Sequence, residues 1–370
     1  MGCIVSTPID GGGNRRMPGN IGEVAVFVPG LRIPKSVDFS FPLAYSVSKS
    51  LVERLSVLRT RIVVMASQEA PKATRPRRRT ATQHGSQLDN KIEFVWFNQE
   101  DEAEETAIWS AWYEVLSVLH LMAMLCLSEA NFLLLPKTTS DGYQPKVSEE
   151  NRRNSVDIFL KAAGYLECAV QQILPCIPPA VRSNLPVDLE GGVLRALCLQ
   201  ALGQGVDIQL GLAIDSAKAT LAVKRRLACE MVKYWHQAQD SIMQVSLNSG
   251  WGQKHRLFVK WKYSEAKAAA YYYHGLILDE GNTEQSHGMA VAALQAAEEF
   301  LKERKKASEA FNSEPPISRS PPLWGTMKYL SEKIPKDTSS KLRINRDLYS
   351  HDRIIETAPV LPDFALALKP

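Results

Sequence analysis

Val115-Leu116-Ser117-Val118-Leu119-His120-Leu121-Met122-Ala123-Met124-Leu125-Cys126-Leu127 is an almost wholly apolar run, and its reading decides the fold. It reaches Ser128 and Glu129 after thirteen residues, whereas a bilayer core takes roughly 20 apolar residues of helix. Around it Ile108, Trp112, Val115, Leu119, Met122 and Cys126 recur in steps of four and three, the spacing of one helical face. A central helix is expected, with that face turned toward a protein core.

Outward from this helix the same period returns over residues 102–135, 148–174, 188–214, 216–247, 254–280 and 284–311, separated by breaks such as Pro175 to Pro186 and Asn248-Ser249-Gly250. The expectation is a mainly α, solenoid-like array, although no strict tetratricopeptide consensus recurs at a fixed period. Leu194, Leu197, Ala201, Gly205, Ile208 and Leu212 form one stripe, whose small Ala201 and Gly205 would admit a close neighbouring helix. Upstream, β-branched Val24-Ala25-Val26-Phe27-Val28 before Pro29-Gly30 reads as a small β element, followed by a helix from about Pro42 to Met65. The 71–90 stretch carries Lys72, Arg75, Arg77, Arg78 and Arg79 without apolar periodicity. It is expected to be a mobile loop, suited to acidic headgroups or RNA or simply to solvation. Residues 312–370, with Pro315-Pro316 and Pro321-Pro322, are expected to be extended.

Composition narrows the class. The 370 residues, 45% hydrophobic and 23% charged, can bury a large core. A formal net charge of +4 is too even for nucleic-acid binding to be expected. Cysteines at 3, 126, 168, 176, 198 and 229 form no CxxC pair and follow no signal peptide, so reduced, mostly buried thiols in an intracellular chain are expected.

Met1-Gly2-Cys3-Ile4-Val5-Ser6 fits an N-myristoylation signal on Gly2. One myristoyl chain binds a bilayer only marginally, with an association constant on the order of 10⁴ M⁻¹, and Cys3 stands where a palmitoyl group would supply a second anchor. Residues 1–21, including Gly11-Gly12-Gly13, Arg15 and Arg16, then read as a flexible tether. A membrane-surface partner follows, at the cytoplasmic face of an endosomal or plasma membrane.

Catalytic patterns are weak. There is no GxxxxGK[ST], GxSxG or HExxH string, and the seven histidines show no metal-ligand spacing. His120 on its apolar helix reads as a hydrogen-bonded core residue, and Tyr271-Tyr272-Tyr273 as three separate packing contacts rather than a base-stacking platform. No enzyme activity, cofactor or metal is expected.

Five strings in order carry a resemblance. Val24 to Pro29 with Lys35-Ser36-Val37-Asp38-Phe39, then Phe94-Val95-Trp96-Phe97-Asn98, Ala111-Trp112-Tyr113-Glu114-Val115-Leu116-Ser117-Val118-Leu119, Lys161-Ala162-Ala163-Gly164-Tyr165-Leu166, and Asn345-Arg346-Asp347-Leu348-Tyr349-Ser350-His351-Asp352-Arg353-Ile354 are similar to motifs of the Alix-type Bro domain. The resemblance spans about 24 to 358, with residues 22–370 as one stand-alone domain. It implies a curved, banana-shaped helical domain with tetratricopeptide-like central helices and a small N-terminal β element. It also implies a non-enzymatic adaptor in endosomal or multivesicular-body sorting, which binds the amphipathic C-terminal helix of ESCRT-III-type subunits. The alternative is a scaffold of the same fold with a different signalling or lipid client at the plasma membrane.

Carried over residue by residue, the family's groove helix falls on Ala222 to Trp235, with Val223 and Leu227 on its two aliphatic positions. Such i, i+4 anchors suit helix-in-groove recognition; from sequence, an interior-facing placement of both remains equally open. The third groove position, aromatic in the family, falls near Gln209 or Leu210, with Leu210 taken as the site residue. Tyr349 is nearest to the family's phosphorylated tyrosine, with Ser350 inserted.

Overall fold

A computed structural model describes residues 22–43, 48–69, 78–80, 92–98, 105–137, 146–246, 251–281, 283–348 and 357–370. Gly2, Cys3, Arg15, Arg16, most of the 71–90 segment, Tyr349 and His351 lie outside the described residues.

The element order is β1 (Gly22–Glu23), β2 (Arg32–Pro34), α1 (Ser40–Leu43), α2 (Lys49–Glu69), β3 (Arg78–Thr80), β4 (Phe94–Asn98), β5 (Glu105–Ile108), α3 (Ala111–Leu134) and α4 (Glu149–Cys168). There follow α5 (Pro179–Arg182), α6 (Gly191–Asp215), α7 (Leu221–Met243), α8 (Trp251–Asp279), α9 (Glu284–Ser313), β6 (Ser318–Arg319) and α10 (Gly325–Leu348). Helices α3, α4, α6, α7, α8 and α9 pack each on the next, and the chain folds as a curved helical domain.

A four-stranded sheet in the order β2-β4-β5-β3 covers one end of the array, with β3 parallel to β5 and the other pairs antiparallel. Residues 105–108 are strand where helix is expected, and Arg78–Thr80 is an edge strand within the expected loop. Phe94, Trp96 and Asn98 alternate inward along β4, the two-residue period of a pleated strand. Behind them, Arg32 places Nη1 2.9 and 3.0 Å from the Asp188 carboxylate and Nη2 2.9 Å from Tyr113 Oη, while Asn98 Nδ2 donates to Asp188 Oδ2 at 3.0 Å. Trp96 Nε1 donates to Glu114 Oε2 at 2.7 Å, and Arg59 pairs with the same carboxylate and stacks 5.0 Å over the Trp96 ring. Two of the strings that carry the resemblance thus meet in one buried polar network.

Val24 to Val28 is not a strand; Val26 and Phe27 are buried and Val24, Ala25 and Val28 half-buried. Val24 N donates to Arg319 O at 3.0 Å, and further backbone groups are satisfied by side chains. Asn131 Oδ1 accepts from Ala25 N and Val26 N at 2.8 Å each, Gln200 Nε2 donates to Phe27 O at 2.8 Å, and Gln204 Nε2 donates to Ala25 O at 3.2 Å.

The central helix forms, but its expected face is reversed. Tyr113, Leu116, Ser117, His120, Met124 and Leu127 are buried, whereas Trp112, Val115 and Met122 are 37 to 40% exposed and Leu119 and Cys126 half-buried. The run is apolar on nearly every side, so periodicity could not choose the face; the small Ser117, Ala123 and Ala130 mark the side that neighbours approach closely. His120 is fully buried as expected, yet neither ring nitrogen has a hydrogen-bond partner among the described residues.

Residues 325–348 are helical rather than extended. Met327, Leu330, Ile334 and Thr338 recur at three, four and four and are buried against the preceding helices; Pro335 inside the helix masks this pattern in the sequence. Beyond it, residues 357–370 are extended, as expected.

Candidate docking groove

Helix α7 begins at Thr220, whose Oγ1 accepts from Val223 N at 3.4 Å, an N-cap that fixes where the first turn starts. Val223 in that turn is 46% exposed. Leu227, one turn on, is half-buried and packs against the core. The two therefore form a shallow apolar face with a firm floor rather than an interior contact. Ala228, Cys229 and Met231 face inward, and Gly203 on α6 lets the Trp235 ring approach so closely that a Cβ there would lie 2.9 Å from it. This near-contact locks α6 to α7 and fixes the direction in which Val223 and Leu227 point.

Leu210 departs from expectation. It is fully buried on α6 and presents no surface to a partner, because its side chain points into the helix array; neighbouring Gln209 is the half-buried residue. Lys224, Arg225 and Arg226 flank the apolar pair and give its rim a positive charge. The Arg225 guanidinium lies 5.7 Å over the Phe364 ring. Glu230 and Tyr234, both 1% exposed, continue the Val223–Leu227 stripe in steps of three and four toward the 357–370 segment.

Buried thiols are unreactive here. Burial pushes Cys198 up to about 12 and Cys229 up to about 11, which leaves both protonated at neutral pH. No group of three His, Cys, Asp or Glu side chains converges as a metal site among the described residues. Tyr271 stacks on Phe300, Tyr272 donates to Asp337 Oδ2 at 2.8 Å and Tyr273 is buried, so the three tyrosines do separate packing jobs. The Arg32–Asp188 network was not singled out from sequence, since its members lie 156 residues apart with no local pattern.

The family model for the BRO1-like domain matches residues 79–354, about three-quarters of the chain. Among solved structures the chain is similar to ALIX in complex with the SIVmac239 PYKEVTEDL late domain, with a TM-score of 0.61 and 17% identity over 90% of this chain and 46% of that one. It is also similar to the ALIX BRO1 CHMP4C complex, with a TM-score of 0.61 and 18% identity over 91% of this chain and 94% of that one. The chain thus spans about half the length of the first of these, and at such identities the likeness is one of fold. No curated protein matches it significantly in sequence.

Proposed function

The chain belongs to the BRO1-like domain family, and from that premise we propose that it is a non-enzymatic adaptor whose α7 face, Val223 and Leu227, receives an amphipathic helix of an ESCRT-III-type subunit. The observation that carries this reading is the exposed Val223 one helical turn from half-buried Leu227, aliphatic anchors spaced for a partner's apolar stripe. The ALIX BRO1 domain is solved in complex with CHMP4C, an ESCRT-III subunit. The basic rim of Lys224, Arg225 and Arg226 favours a partner helix with acidic residues beside its apolar stripe. Val223→Asp or Leu227→Asp puts a carboxylate into that face and is expected to weaken binding of an ESCRT-III helix at least tenfold, with the circular dichroism unchanged.

Gly2 is read as the myristoyl acceptor, with Cys3 as a second acylated position, which holds the adaptor at the cytoplasmic face of an endosomal or plasma membrane. Metabolic labelling with a myristate analogue tests it: Gly2→Ala is expected to abolish both the label and membrane fractionation. The buried Leu210 and the lack of an aromatic side chain at either Gln209 or Leu210 favour a second reading, a scaffold of the same fold with a different client. Failure of every ESCRT-III helix to bind, with capture of another protein lost in Leu227→Asp, would select it.

A further inference from the structure

We propose that the channel between α6 and α7 is a docking site for an extended apolar peptide, and that residues 361–370 occupy it as a ligand in cis. The inference does not rest on the ESCRT-III reading: it concerns a different stretch of α7 and a different backbone conformation of the ligand.

Phe364, Leu366 and Leu368 are half-buried while Asp363, Ala365, Ala367 and Lys369 are exposed, the alternation of a strand on a surface. No neighbouring strand serves this one; α7 side chains do. Glu230 Oε1 accepts from two consecutive backbone N–H groups, Ala367 at 2.6 Å and Leu368 at 2.9 Å. The Tyr234 hydroxyl donates to Leu368 O, and the Lys233 ammonium donates to Phe364 O and pairs with Asp363. Gly205 on α6 makes room for the last anchor: a Cβ there would lie 3.1 Å from Leu368 Cδ2. The same glycine also faces α4, where that Cβ would lie 3.8 Å from Phe159 Cβ, so it serves the close helix neighbour expected of it as well.

Two features mark a ligand rather than a core element. No residue of 357–370 is fully buried, although Glu230 and Tyr234 beneath them are 1% exposed. The channel is also wider than its occupant, for a cavity of about 450 Å³ lined by Gln171, Arg195, Leu199 and Gln237 opens beside Leu366 and Leu368. A carboxylate buried like Glu230 requires donors. Unbonded N–H groups are what a non-helical peptide offers and what the middle of a helix, its amides already bonded, does not; two successive ones reaching a single oxygen mark a local bend of the extended segment at Ala367-Leu368. The channel therefore selects an extended segment with apolar residues at alternate positions, and the chain's own segment competes for it.

The test uses full-length protein carrying Phe364→Ser, Leu366→Ser and Leu368→Ser together, with a fluorescein-labelled peptide of residues 359–370 as probe and anisotropy as readout. The triple variant should bind the probe saturably, wild type at least tenfold more weakly, and addition of Glu230→Ala to the triple variant should remove the binding. No binding to the triple variant, equal binding to wild type, or binding that survives Glu230→Ala would overturn the proposal. If the triple variant does not fold, amide exchange in wild type decides. Ala367 and Leu368 amides exchanging at least a hundredfold faster than those of Leu202 and Tyr234 support a detachable ligand, and equally slow exchange makes the segment part of the core.

Discussion

Arg32 and Asp188 help hold the sheet to the helical array through a buried ion pair, and the balance of forces on Arg32 explains why. Burial works against its charged guanidinium, yet Asp188 and Tyr113 outweigh that cost and hold its pKa above the ordinary value. Asp188→Ala would strand the guanidinium and the Asn98 amide, with an expected loss of about 3–5 kcal/mol in urea unfolding; a loss under 1 kcal/mol would contradict the account. His120 supplies the pH dependence. Burial lowers its pKa to about 4, so as pH falls the unfolded chain, with an ordinary value of about 6.5, takes up the proton first. Its contribution, about 3 kcal/mol, is complete above pH ~6.5, erodes down to pH ~4 and levels off below. His255, lowered by burial to about 3, extends the same erosion. His120→Leu should therefore flatten part of the stability curve between pH 6.5 and 4, and parallel curves would contradict this. At this scale the sequence was legible where residues form local strings, as with Trp96 and Glu114. It was illegible where partners are remote, as with Arg32 and Asp188, or where a polar residue is buried unpaired, as with His120.

Helices α4, α7 and α9 follow apolar periodicity, because an amphipathic stripe is a local signal, and each starts at a capping side chain, Ser148, Thr220 and Thr283; α6 was found from its apolar content, and α5 lies within what reads as a break. The face of α3 was not legible, since an all-round apolar helix carries no stripe to read. Nor was α10, where Pro335 interrupts the pattern that the tertiary contacts rescue. The α6–α7 pairing rests on the approach of Trp235 to Gly203, where an added methyl would sit 2.9 Å from the ring. Gly203→Ala is expected to lower stability by about 1–3 kcal/mol through overpacking and to weaken helix binding at Val223 and Leu227 in parallel, as read by denaturant midpoint and titration. Unchanged stability would mean that the two helices are not locked at this point.

Over the whole molecule, the curved array fixes α7 between α6 and α8 and leaves a single turn of aliphatic surface, framed by basic residues, beside a channel filled by the chain's own extended segment. The order of short motifs made the fold readable, and the alignment of one helix placed Val223 and Leu227; burial then removed Leu210 from the face, which no local spacing could do. Among the described residues two helices, Ala111–Leu134 and Gly191–Asp215, are long and apolar enough to cross a membrane, yet both are packed among their neighbours in the array. The proposed membrane contact is the one at Gly2, which the myristate labelling tests. The most direct test of the central claim is titration of labelled ESCRT-III C-terminal helices into the full chain and into its Val223→Asp and Leu227→Asp variants. The account predicts saturable micromolar binding that each variant loses at least tenfold while remaining folded; absence of binding, or binding untouched by both substitutions, would contradict it.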